Sequence, residues 1–144
     1  MQNDITKVAL GSLVFLSVAA VADAHSTEMH GKMTEDHAQM MKLHTIMPMF
    51  SIAFAQMEAA LTKGDLAAVD QEAGKIKAAI PDLKKSKPHK NGKERKQYIS
   101  LATKLEKMVA ASADQAKNGN FTRAKASLDK AEKICATCHA KFRD

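Results

Sequence analysis

Tryptophan is absent from the chain and tyrosine occurs once, as Tyr98. Sheets draw on aromatic and β-branched residues, so this shortage, beside plentiful alanine, lysine and methionine, favours helices. Cysteine is equally scarce: Cys135 and Cys138 are the only two. A bond between thiols three residues apart in a helix is geometrically poor, which argues against a local disulfide. No long apolar run is present either. The longest, Val8 to Val21, is interrupted by Gly11, Ser12 and Ser17 and falls short of the ~20 residues of a membrane helix. Acid–base chemistry is missing too. Aspartate and glutamate are scattered on outward positions, and no serine and histidine form a plausible triad, so the chain does not read as an enzyme.

What the first 24 residues do contain is a secretory pattern. Lys7 forms a thin positive region, the apolar run follows, and Ala22-Asp23-Ala24 supplies a small–x–small cleavage site. Asp4 weakens the positive region, and an uncleaved anchor is the competing reading. Cleavage after Ala24 leaves a chain starting at His25, long enough for one domain with one core. The net charge of +6 then rises by one, since one lysine and two aspartates leave. A basic exported protein meets acidic partners or anionic surfaces, and nucleic acid is not expected there.

Beyond the leader, apolar residues recur at alternating spacings of three and four. The first run is Met40, Leu43, Met47, Phe50, Phe54, Met57 and Leu61; the second is Leu66, Val69, Ala73, Ile76, Ile80 and Leu83. Tyr98, Leu101, Leu105, Met108 and Ser112 make the third, and Phe121, Ala124, Leu128, Ala131, Cys135, Cys138 and Phe142 the fourth. Each is the inward stripe of a helix packed nearly parallel to its neighbours. Lys63-Gly64-Asp65 and Asn118-Gly119-Asn120 carry stop-and-cap chemistry, while Pro81, Pro88 and Asn91-Gly92 mark the longest loop. The expected fold is all-α: an antiparallel up-down-up-down four-helix bundle spanning 40–144, preceded by a His/Met-rich arm at 25–39.

The fourth stripe ends in Cys135-Ala136-Thr137-Cys138-His139. A redox Cys-x-x-Cys pair normally opens a helix after a strand, where the helix dipole lowers a thiol pKa; here the motif closes a helix. Structural zinc needs four ligands, and only three are local. Haem c meets each constraint. Two thiols one turn apart can each bond a vinyl group, and His139 can reach the iron from one face. The haem would lie near the C-terminal end of the fourth helix.

Together with Phe142-Arg143 behind it, this motif resembles the class II c-type cytochromes, including cytochromes c′. Gly119-Asn120-Phe121 and Lys63-Gly64-Asp65 are similar to that family's helix openings and turns, and the likeness covers roughly Leu43 to Arg143. The resemblance implies a periplasmic mono-haem protein that carries electrons or binds small gases, and it allows a homodimer. Two departures stand out: the second-to-third loop is short and lysine-rich, and an extra segment precedes the bundle.

Carrier or gas binder turns on the second face of the iron. His139 lies about 27 Å along its helix from Phe121 at ~1.5 Å per residue. The same distance back from Leu61 reaches Leu43, which makes Met40, Leu43, His44 and Met47 the facing residues. Met47 is the leading distal candidate because it sits on the stripe and carries a thioether; His44, one position off, would give two imidazoles; an open face is the third outcome. Pro48 removes a backbone bond to His44 and is expected to kink the helix.

Two further features bear on partners. His30-x-x-Met33, His37-x-x-Met40 and His44-x-x-Met47 repeat at a period of seven, a thioether–imidazole pattern that suits Cu(I) or Ag(I) and is similar to motifs of periplasmic silver- and copper-binding proteins. The plainer reading is an arm whose second half joins the first helix. Lys84, Lys85, Lys87, Lys90, Lys93, Arg95 and Lys96 form a basic cluster, read either as a solvated loop or as a docking face for an acidic redox partner. His89 within it reads as an exposed loop residue. Three functions follow in order: an electron-transfer cytochrome, a five-coordinate NO/CO-binding protein, and a soft-metal binder using the His/Met arm.

Overall fold

The computed structural model describes residues 24–143, with side chains from Glu35 onward apart from Asp36. The secretory segment therefore lies outside the described residues, as do the side chains of His30 and Met33. The described chain is all-helical. Helix α1 runs Ala24–Lys63, α2 Leu66–Lys85, α3 Arg95–Lys117 and α4 Phe121–Phe142, with a single 3-10 turn at Gly92–Glu94. Consecutive helices pack on one another, and α1 also meets α4, more lightly, which closes a ring consistent with a four-helix bundle. No described helix is long and apolar enough to cross a membrane. Helix α1 passes from the arm into the bundle without a break at residue 40, and it continues through Pro48.

The turns form where the chain offers a residue that accepts positive φ. Gly64 and Gly119 have φ of +72° and +74°. In each turn the following amide reaches back over the glycine to a carbonyl of the preceding helix: Asp65 to Ala60 at 2.9 Å, and Asn120 to Gln115 at 2.8 Å. Asp65 then caps α2 by accepting from the Ala68 amide at 3.0 Å. Asn120, expected to cap α4 in the same way, makes no side-chain bond there. Its backbone carbonyl receives the Ala124 amide instead.

Most stripe residues are buried, and Met57, Val69, Ile76 and Ile80 are almost wholly so. Two expected core residues are corrected. Met40 is 38 % exposed at the edge of the α1 face that Leu43, Ile46 and Phe50 turn to the core, and Leu66 is 41 % exposed as the first residue of α2. Ile46, Ala53, Ala60, Ala102, Val109, Ala113 and Ala116 join the core in addition.

The connection between α2 and α3 is held by polar anchors. Ser86 is buried; its hydroxyl donates to the Leu83 carbonyl at 2.7 Å and shares a 2.9 Å bond with the Tyr98 hydroxyl. Arg95 donates to the carbonyls of Ser86, Lys84 and Lys85 at 2.7 to 2.9 Å, which satisfies the end of α2. On the far side, the Lys90 amide bonds the Phe142 carbonyl at 3.2 Å and the Asn91 side chain bonds the Lys141 carbonyl at 2.7 Å. The loop is thus latched to the last turn of α4.

Candidate functional site

Along α4 the inward seam changes character. Ala124, Ser127, Leu128 and Ala131 are buried, whereas Ile134, Cys135, Cys138 and His139 are only half-buried. The cause is geometric. The stripe continues at the same spacing, but small side chains at Cys135 and Cys138 face the α1 side, where the two helices approach least closely. A cavity of about 330 Å³ results, bounded by Phe50, Phe54, Leu101 and Leu105 and reached by Met47, Cys135, Cys138 and His139. A second, of about 370 Å³, adjoins it. Met47, Tyr98, Cys138 and His139 line both, and Leu43, His44, His89 and Arg143 line the second. Both volumes fall in the range of small-molecule and cofactor sites.

The height argument from the sequence is therefore matched in part. Leu43, His44 and Met47 of α1 share a cavity wall with His139, and Met40 does not. Met47 is half-buried and His44 exposed. His89 is exposed but also lines the cavity, its ring stacked on His44 with centroids 5.6 Å apart and planes 21° from parallel. Sequence reasoning passed over that role. The available signal was Pro88, a loop proline that turns out to be buried and lies on the same wall. Tyr98, expected only as core, orients the wall through its Ser86 bond and an edge-on contact with Phe142 at 5.3 Å.

Electrostatics separate the possible uses of the two thiols. Both cysteines are free. Burial, with smaller contributions from Cys138 and Glu132, pushes the Cys135 thiol up to about 11. Burial raises Cys138 as well. A thiol–disulfide catalyst needs the opposite shift, because the thiolate is its nucleophile. Burial, followed by the nearby Arg143 charge, lowers the pKa of His139 and favours the neutral imidazole that can ligate a metal. Among the described residues no group of three or more His, Cys, Asp or Glu side chains is placed to hold a metal ion.

The basic cluster is thinner than the sequence implied. Lys84 pairs with Glu106 at 2.7 Å and Arg95 caps α2, leaving the exposed side chains of Lys85, Lys93 and Lys96 outside any ion pair. No family model, curated protein or solved structure matches the chain, so the site is read from its own chemistry.

Proposed function

We propose that the protein is a periplasmic mono-haem c-type cytochrome of class II character that transfers electrons and has no catalytic activity of its own. The observation that carries this reading is the convergence of Cys135, Cys138 and His139 on one largely apolar cavity with Met47 across from them. The donor set fits haem c: two protonated thiols one helical turn apart can add to two vinyl groups, and a neutral imidazole beside the second can hold the iron. When bound, the group supplies a one-electron iron couple. The chain's residues do the rest. Phe50, Phe54, Leu101 and Leu105 exclude water from the ring, and Met47 is the distal ligand candidate, with His44 second.

The proposed topology is antiparallel, up-down-up-down. It is supported by pairings between helix ends that only opposed neighbours bring together. Gly64 lies beside Phe121, Lys42 pairs with Asp82 at 3.4 Å, and Lys117 pairs with Asp70 at 2.7 Å. The remaining exposed lysines, 85, 93 and 96, are a docking face for an acidic redox partner, with an attraction that fades as salt is added. Export is assigned to residues 1–24 as a signal peptide, and cleavage after Ala24 releases the mature chain.

One optical experiment tests the reading. Reduced-minus-oxidised spectra of the purified exported protein should show a c-type haem that acid–organic solvent does not extract. Protein purified without covalent haem overturns the proposal. A high-spin ferric form whose dithionite-reduced, ferrous state takes up carbon monoxide quickly would keep the haem and shift the function to gas binding at an open face.

A further inference from the structure

Helix α1 exposes methionines where packing gives no reason for them. Met40 is 38 % and Met41 52 % exposed. Leu43, Ile46 and Phe50 on the same helix are buried and fix the direction of the core. His37, Met40, Met41 and His44 stand at i, i+3, i+4 and i+7, on a patch turned away from it, and all four are exposed. Residues three or four apart on a helix have Cβ atoms ~5–6 Å apart, so Met40 and Met41 each neighbour both histidines and can draw the group together on one ion.

The other described polar side chains of this stretch are engaged elsewhere. Gln39 donates to Glu35 at 3.3 Å, Lys42 reaches Asp82, and the Thr45 hydroxyl returns to the Met41 carbonyl at 3.2 Å. Among the described side chains the patch has two imidazoles and two thioethers, and the carboxylates near it, Glu35 and Asp82, are bonded to Gln39 and Lys42. Hard cations such as Ca²⁺ or Mg²⁺ want oxygen ligands, whereas thioethers and imidazoles select soft monovalent ions. Methionine suits the task because three rotatable bonds let its sulfur move onto a ligand without disturbing the helix. His44 adds a link to the rest of the molecule: its ring stacks on His89 and lines the cavity that contains His139.

We propose that His37, Met40, Met41 and His44 form a surface site for one soft monovalent cation, Cu(I) or Ag(I), distinct from the cavity at Cys135 and Cys138. The site does not depend on haem. Its four side chains all come from α1, and only His44 is shared with the cavity wall.

The test uses the full exported chain with both thiols capped, either by haem or by iodoacetamide, so that sulfur at Cys135 and Cys138 cannot compete. Ag(I) is titrated while the methionine methyl groups are followed by NMR. The expected result is a one-equivalent shift confined to Met40, Met41 and the two imidazoles. Met40→Leu with Met41→Leu should weaken Ag(I) binding on the order of ten- to a hundredfold, the scale at which even outer-shell partners of a metal act. Both positions are exposed, so the helical circular dichroism should not change. His37→Asn should weaken binding as well, while Zn(II) should compete poorly. Unchanged Ag(I) affinity in the double methionine variant overturns the site. So does a titration in which methyl groups outside this patch shift first.

Discussion

The two ends of the bundle use similar side chains to opposite effect. Around Gly64 and Gly119 the helices meet through alanine. Ala113, Ala116 and Ala124 are at most 5 % exposed, and the recess bordered by Gly64, Phe121 and Asp129 is a surface groove open to solvent rather than an apolar cavity. Near Pro88 and His139 the seam residues are equally small, yet they border cavities of about 330 and 370 Å³. A small side chain on an inward stripe thus has two meanings. It draws helices together where the opposite face is also small, and it leaves a hole where Phe50, Phe54 and Tyr98 prop the opposite face open. The closed end reads as structure and the open end as a site.

Removing the thiols should break this contrast most severely. Cys135→Ala with Cys138→Ala is expected to abolish acid-stable haem attachment completely, checked by acid–acetone extraction and a denaturing gel stained for haem. The same variant should melt well below the loaded wild type, because a ligand that binds only the folded state stabilises it and an empty cavity does not. Coincident melting curves would mean that the cavity is not a cofactor site.

Next in size is a core truncation at the closed end. Ile76→Ala should cost about 2–5 kcal/mol by urea denaturation, since Ile76 is fully buried and its surroundings have little room to relax. Leu101→Ala, on the cavity wall, should cost clearly less in the unloaded protein and more once the cavity is filled. Equal costs in both states would erase the distinction between the two ends.

A third variant sharpens the open end alone. Met47→Leu keeps nearly the same volume and should change stability by less than about 1.5 kcal/mol. In a Met-ligated protein it should convert low-spin ferric iron to high-spin, with loss of the weak sulfur–iron charge-transfer band and faster carbon monoxide uptake. An unchanged spectrum removes Met47 from the iron.

The smallest expected effects are at the supports. Tyr98→Phe should cost about 1 kcal/mol, the net worth of its bond to Ser86. In unloaded protein Cys135 should react slowly with iodoacetamide near neutral pH. Its folded pKa is raised, so the reactive thiolate grows only as pH climbs towards about 11. Rapid labelling at pH 7 would show a lowered thiol pKa and favour a redox pair.

Helix number and the greater part of the core were legible from spacing, because a period of three and four is the direct imprint of one buried face. Gly64 and Gly119 were legible for the same kind of reason: few other residues accept their φ. Met40 was misplaced because periodicity gives the direction of a buried face and not where its edge falls. The charge cluster was overcounted because Lys84 and Arg95 find partners on α3 and at the end of α2 that sequence distance conceals. His89 went unseen as part of the site for a related reason: its meeting with His44 depends on how one loop folds over a helix made much earlier in the chain. The cavity itself was legible only as a run of small residues, since its volume is set by backbone separations.

The latch between Asn91 and Lys141 has a consequence for the order in which the molecule can assemble. A chain grows from its amino end, so α1, α2 and α3 and their connections exist before the two carbonyls that hold residues 90 and 91 have been made. Until then the α2–α3 loop is held by Arg95, by the Ser86–Tyr98 bond and by the stacking of His89 on His44, among others. The cysteine motif emerges just ahead of Lys141 and Phe142, while the mouth of its own cavity is still unfastened. In a chain that folds in this order, Cys135 and Cys138 are in place before the bonds at Lys141 and Phe142 fasten the loop beside their cavity.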